Sequence, residues 1–154
     1  MAVIARNWRR LTVIVLGVLA LAWLILQLIP LDRDNPPVVS EPSWDSPQTR
    51  VLAQRACFDC HSNETVWPWY SQVAPARLLI WKDVRDGREE MNFSDWTRAD
   101  QETGEIVEVI REGEMPPWYY TLMHPDAKLS AAEKQALIDG LSASLPPGED
   151  QDSD

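Results

Sequence analysis

The five residues Cys57-Phe58-Asp59-Cys60-His61 bring two thiols and an imidazole together within little more than one helical turn. Thiols three positions apart on such a turn can reach the two vinyl groups along one edge of a porphyrin. A histidine directly after them comes to lie beneath the iron as its proximal axial ligand. Cys-x-x-Cys-His is the spacing used for covalent attachment of c-type haem. These are the only two cysteines in 154 residues, so one motif implies one haem.

Other chemistries use the same residue types less well. A structural zinc site takes four N or S ligands, usually in two pairs. The best set here, Cys57, Cys60, His61 and His124, has adjacent Cys60 and His61 chelating awkwardly and a lone histidine as its second half. A thioredoxin-like redox pair needs a βαβ setting, whereas the flanks are rich in Trp and Pro and read as helical. A disulfide between Cys57 and Cys60 leaves His61 without a role.

A second axial ligand is sought downstream, in Gly113-Glu114-Met115-Pro116-Pro117. A thioether is a weak iron ligand that favours a higher potential, and two prolines after Met115 stiffen its loop and lower the entropy cost of presenting the sulfur. Met123 and His124 stand as alternatives, and His124 would hold the lower potential. The run Val66-Trp67-Pro68-Trp69-Tyr70-Ser71 is dense in aromatics. Trp67, Trp69 and Tyr70 are expected to wall a porphyrin pocket and keep water off its face, the competing use being ordinary core packing. Their N–H and O–H groups, or Arg77 or Arg85, could donate to haem propionates.

The elements that position these residues read as helices. Ser46-Pro47 supplies an N-cap and first turn for a helix running into Cys57, with Val51, Leu52 and Ala56 on its apolar side. A second is expected from Pro75 to about Asp86, with Ala76, Leu79, Ile80 and Val84 inward and Gly87 as its stop. A third spans about 99–112, with Thr103, Ile106, Val107 and Ile110 at helical spacing and Gly113 at its end. The last begins at Ser130 in a capping box with Glu133 and carries Leu137, Ile138, Leu141 and Leu145. Pro146-Pro147-Gly148 ends it before an acidic tail, 146–154, expected to be disordered. No strand is expected. The fold class is all-α, a cytochrome c-like helical haem domain over residues 47–145.

Residues 1–30 read as a basic start and membrane anchor. Leu11–Ile29 is apolar apart from Thr12, Gly17 and Gln27. As a helix these nineteen residues span roughly 28 Å, about the thickness of a bilayer core. The run is too long for a typical signal-peptide core, and no small-residue cleavage site follows it. Arg6, Arg9 and Arg10 precede it without any acid, which puts the N-terminus in the cytoplasm and everything after Pro30 outside. Trp8 and Trp23 are candidates for headgroup depth. Residues 31–46 form an acidic, Pro-rich stretch expected to be an extended tether. The chain carries −10 overall, with 14 basic and 24 acidic residues. Such acidity argues against nucleic acid and for basic or neutral protein partners.

Four blocks together carry a family resemblance: Cys57 to Thr65, Trp67-Pro68-Trp69-Tyr70-Ser71, Met115-Pro116-Pro117, and His124-Pro125-x-Ala127-x-Leu129-Ser130. Over about residues 48–142 the chain resembles the bacterial haem-binding domain family, small exported or membrane-anchored c-type cytochrome-like proteins. The resemblance implies a mono-haem helical fold with Cys57 and Cys60 as thioether positions and His61 as proximal ligand. The Met-Pro-Pro block also resembles the ligand loop of class I cytochromes c, although here Leu129 lies fourteen positions beyond Met115. The expected function is that of a single-pass protein of the bacterial inner membrane. Its periplasmic haem c would carry electrons between redox partners or serve a membrane redox complex, without being an enzyme. The alternatives are a peroxidase-like enzyme or a gas or redox sensor, either of which needs an open distal site. A core of about a hundred residues is modest, so the domain is expected to need its haem to fold.

Overall fold

The computed structural model describes residues 2–97 and 105–145. Seven α-helices follow in order: α1 (Ala2–Gln27), α2 (Pro47–Ala56), α3 (Phe58–His61), α4 (Ala76–Glu90), α5 (Ile106–Glu112), α6 (Trp118–Met123) and α7 (Ala131–Ser144). Short 3-10 turns lie at Trp69–Gln72 and Pro125–Ala127. Among the described residues there is no strand, only one parallel bridge between Ser40 and Asp95. The fold is all-α. Thr103 and the expected acidic tail lie outside the described residues.

The chain forms two compact units. Residues up to 33 and residues 68–82 make one, and residues 34–67 with those from 83 onward make the other. In the first, Asn7–Gln27 is a helical stretch long and apolar enough to cross a membrane. The segment 68–82 is hydrogen-bonded to the end of that helix. Trp23 Nε1 donates to the Ala74 carbonyl (2.9 Å), and Gln27 Oε1 accepts from the Ala74 amide (2.6 Å). Arg77, buried, donates to the carbonyls of Gln27 and Ile29. Those carbonyls follow the last turn of α1 and have no intrahelical donor left.

In the second unit, Ser46 caps α2 by accepting from Thr49 N, with Pro47 in the first turn. Thr49, Leu52, Ala53 and Ala56 are buried, while Val51 faces out. Ser130 and Glu133 form the expected capping box at α7, whose Leu137, Ile138 and Leu141 are buried together with Leu145 beyond its end. Gly113 closes α5 in the left-handed conformation, φ 85°. These helices bury one core around Leu52, Phe58, Met91, Phe93, Ile110, Leu137 and Leu141. Helices α2 and α7 approach so closely at Thr49 and Gly140 that a Cβ on Gly140 would lie 2.1 Å from Thr49 Oγ1.

Three expectations are corrected. Helix α4 does not stop at Gly87 but runs on to Glu90. A Cβ at Gly87 would sit 2.7 Å from the Cys60 carbonyl oxygen, so the glycine serves close approach. Residues 34–46 are not a free tether. Trp44 packs on Phe58 and Phe93 (ring centroids 6.3 and 5.3 Å), and Val39 N donates to Ser94 O. Leu79, expected on the buried stripe of α4, is exposed.

Candidate haem site

Helix α2 ends at Ala56, and Cys57, at φ −125°, breaks the helical path before α3 begins. The Cys57 carbonyl then accepts from both Cys60 N (3.1 Å) and His61 N (2.9 Å), winding the motif into a single turn. The two spacer residues anchor it. Phe58 is buried and stacks on Phe93 at 5.4 Å. Asp59 Oδ1 accepts from Val66 N (2.9 Å), and its Oδ2 accepts from the Tyr120 hydroxyl (2.8 Å). Beyond the motif, Ser62 Oγ donates back to Phe58 O (2.7 Å), and Phe93 N donates to His61 O (2.8 Å). Arg88 on α4 donates to Ser62 O, Thr65 Oγ1 and Asn35 Oδ1, all within 2.9 Å. Backbone carbonyls that the short helix leaves open are thus satisfied by the Ser62 and Arg88 side chains and by the Phe93 amide.

Cys57, Cys60, His61 and Met115 line one cavity of about 320 Å³, within the range of small-molecule and cofactor sites. Its walls are mainly apolar, drawn from Ala56, Met91, Ile106, Val109, Ile110, Pro116 and Pro117, with Tyr119 and Tyr120 from α6. Asp83, Asp86, Glu90 and Glu105 also line it, and among the described residues no lysine or arginine does.

Both cysteines are free thiols. Burial pushes Cys57 up to about 12, helped by Cys60, and Cys60 likewise, helped by Asp83 and Asp59. At neutral pH both sulfurs stay protonated, which suppresses thiolate exchange. Burial also lowers the pKa of His61, so its ring is neutral. Its Nδ1 lies 3.2 Å from Met91 O. A proton on Nδ1 satisfies that carbonyl and leaves Nε2 with its lone pair, the form that binds a metal. Burial, then Asp59, raises Tyr120, which therefore remains a neutral donor.

The other sequence candidates lie elsewhere. Met123 is exposed on α6 and is absent from the cavity wall. His124 stacks on Tyr120 at 4.3 Å with Nδ1 4.0 Å from Asp59 Oδ2, and it too does not line the cavity. The expected aromatic wall is corrected at Trp67, which is half-buried but outside the lining; Trp69 and Tyr70 belong to the unit containing α1. The extended backbone of Pro68 (ψ 160°) precedes the separate turn in which those two residues sit. Tyr119 and Tyr120 supply aromatic rings to the lining. The signal for these two was their position one and two residues past Trp118, which follows Met-Pro-Pro. Arg77 and Arg85 do not line the cavity either, and Arg85 pairs with Asp86 at 2.7 Å. Among the described residues no group of three or more His, Cys, Asp or Glu is placed to hold a metal ion. The zinc set is therefore not assembled.

The model of the haem-binding domain matches residues 21–143. The chain belongs to the haem-binding domain family. Comparison with curated proteins and with solved structures gives no match. The cavity of this haem-binding domain fits that group on its own chemistry. It offers two protonated thiols, a neutral imidazole whose orientation is fixed from behind by Met91, a thioether, and mainly apolar walls. His61 and Met115 would hold the iron, and Cys57 and Cys60 the porphyrin edge.

Proposed function

We propose that this haem-binding domain is a membrane-anchored mono-haem c-type cytochrome that carries single electrons between redox proteins at the bacterial inner membrane. The observation that carries the reading is the convergence of Cys57, Cys60, His61 and Met115 on one mainly apolar cavity. Haem, when bound, supplies a one-electron ferric/ferrous couple. Cys57 and Cys60 would hold the porphyrin edge through thioethers, and His61 would hold the iron through Nε2 while the Met91 carbonyl fixes the ring through Nδ1–H. Met115 is the candidate for the sixth position, because Met123 and His124 are not in the lining. The acids around the cavity disfavour lowering the charge on the iron and so pull the potential down. They also favour basic protein partners. The α1 anchor, with Arg6, Arg9 and Arg10 on its cytoplasmic side, would keep the domain in the periplasm beside membrane partners and raise its effective concentration there.

The test is the visible spectrum of the reduced full-length protein with and without carbon monoxide, after denaturing electrophoresis has shown whether haem stays attached. A low-spin spectrum indifferent to carbon monoxide, converted to a carbon-monoxide-sensitive one by Met115→Ala, is expected. A high-spin or carbon-monoxide-sensitive spectrum in the unmodified protein would overturn the carrier in favour of an enzyme or sensor. Haem lost on denaturation would overturn covalent attachment.

A further inference from the structure

We propose that residues 68–82 form a headgroup-level collar on the anchor, a surface that contacts phospholipids where α1 leaves the bilayer and prefers anionic headgroups. This rests on reading α1 as a membrane anchor. The segment is tied to the apolar helix at its far end. Its backbone accepts from Trp23 (Ala74 O), Gln27 (Gln72 O) and Arg33 (Ser71 O), while its Arg77 donates to the carbonyls of Gln27 and Ile29. A helix spanning a bilayer core with Asn7–Gln27 ends where hydrocarbon gives way to headgroups. The bonded segment must lie at that depth.

Its side chains suit that depth and are poorly suited to water. Trp69 is 76% exposed and Leu79 48% exposed, and Val73 also faces out. Helical spacing alone would turn Leu79 toward a core; instead it leaves the protein surface apolar beside the membrane helix. Trp23, Trp69, Tyr70 and Trp81 gather in this one unit, and indole and phenol rings favour the membrane–water interface. In a chain of net charge −10 the fifteen residues 68–82 contain Arg77 and Lys82 and not one carboxylate. With Arg77 committed to the α1 carbonyls, it is the lack of any carboxylate in 68–82 that leaves nothing there to repel anionic phosphates, in contrast to the acidic remainder of the chain.

The test uses the full chain reconstituted in vesicles of phosphatidylethanolamine and phosphatidylglycerol, doped with a lipid carrying a photoactivatable diazirine near its glycerol. Adducts are mapped by mass spectrometry of peptides. Adducts are expected on 68–82 and on the last turn of α1. Labelling of 68–82 should be lost in the Trp69→Ser, Leu79→Ser double variant, whose altered side chains are exposed, while α1 labelling and haem content persist. Omitting phosphatidylglycerol should lower the yield on 68–82. Labelled α1 with 68–82 labelled no more than α7 would overturn the collar and leave the anchor standing. Release of the chain from vesicles by alkaline carbonate would overturn both. An unchanged yield without phosphatidylglycerol would overturn the anionic preference.

Discussion

Replacing Gly87 by alanine sets two opposed effects against each other at the haem site. In the interior of an exposed helix the change stabilises by about 1 kcal/mol, because glycine has the greater backbone freedom to lose. Here the new Cβ would lie 2.7 Å from Cys60 O and 3.1 Å from both Cys60 C and Cβ. None of these atoms belongs to the free end of a flexible side chain, so α4 and α3 must separate by several tenths of an ångström. Overpacking of this kind costs about 1–3 kcal/mol. The net expectation is a loss of about 0–2 kcal/mol in stability. The functional loss should be larger than that suggests. The Gly87 and Met91 carbonyls that hold His61 belong to α4 and its immediate continuation, so moving α4 swings the imidazole. The assay compares the ratio of haem to protein after denaturing electrophoresis, the reduced visible spectrum and thermal unfolding for wild type, Gly87→Ala and Gly87→Val. Haem content should fall in that order. An alanine variant stabilised by the full helix gain, with haem content and spectrum unchanged, would refute the close-approach argument.

Two further predictions concern the frame around the site. Glu133 is held down to about 2 by Arg55, whose Nη1 lies 2.6 Å away, and by Ser130. Because its folded pKa lies below the ordinary 4.5, its stabilising contribution is complete above about 4.5 and is lost as pH falls toward 2. The difference in melting temperature between wild type and Glu133→Gln should therefore shrink across that window, and a difference flat with pH would exclude the charge as its cause. Gly140→Ala places a Cβ 2.1 Å from Thr49 Oγ1 and 2.6 Å from its Cγ2 and should destabilise by about 2–3 kcal/mol. Adding Thr49→Ala removes the two nearest atoms and leaves only Thr49 Cβ at 2.9 Å, so a denaturant double-mutant cycle should show coupling of at least about 1 kcal/mol. Additive effects would mean that the helices adjust elsewhere.

Local chemistry made much of this legible in the sequence. The caps at Ser46 and Ser130, the left-handed Gly113 and the motif at Cys57 depend on residues a few positions apart, and each was found where its spacing put it. What escaped depends on residues brought together from afar. Gly87 resembles a helix stop until Cys60 is placed against it, although Arg88-Glu89-Glu90 continues with good helix formers and hinted otherwise. Prolines at 36, 37 and 42 suggested an extended, semi-rigid tether, and only the packing of Trp44 on Phe58 and Phe93 reveals that it is docked. Trp67 is aromatic and near the motif in sequence, but proximity in sequence does not decide which side chains reach the cavity. Met115 led Met123 and His124 already on the two prolines that follow it, and of the three it is the one that lines the cavity.

Within Cys-x-x-Cys-His the two unspecified positions are both occupied by necessity. Phe58 plugs the motif into the interior, and Asp59 laces it to the Val66 amide and the Tyr120 hydroxyl. The motif in this protein is therefore not a portable pentapeptide. Grafted onto another helix with arbitrary spacers it would keep its nucleophiles and its imidazole yet lose the inward peg and the outward lace. Any effort to move this site into a designed scaffold must carry Phe93 and Tyr120 along with the cysteines.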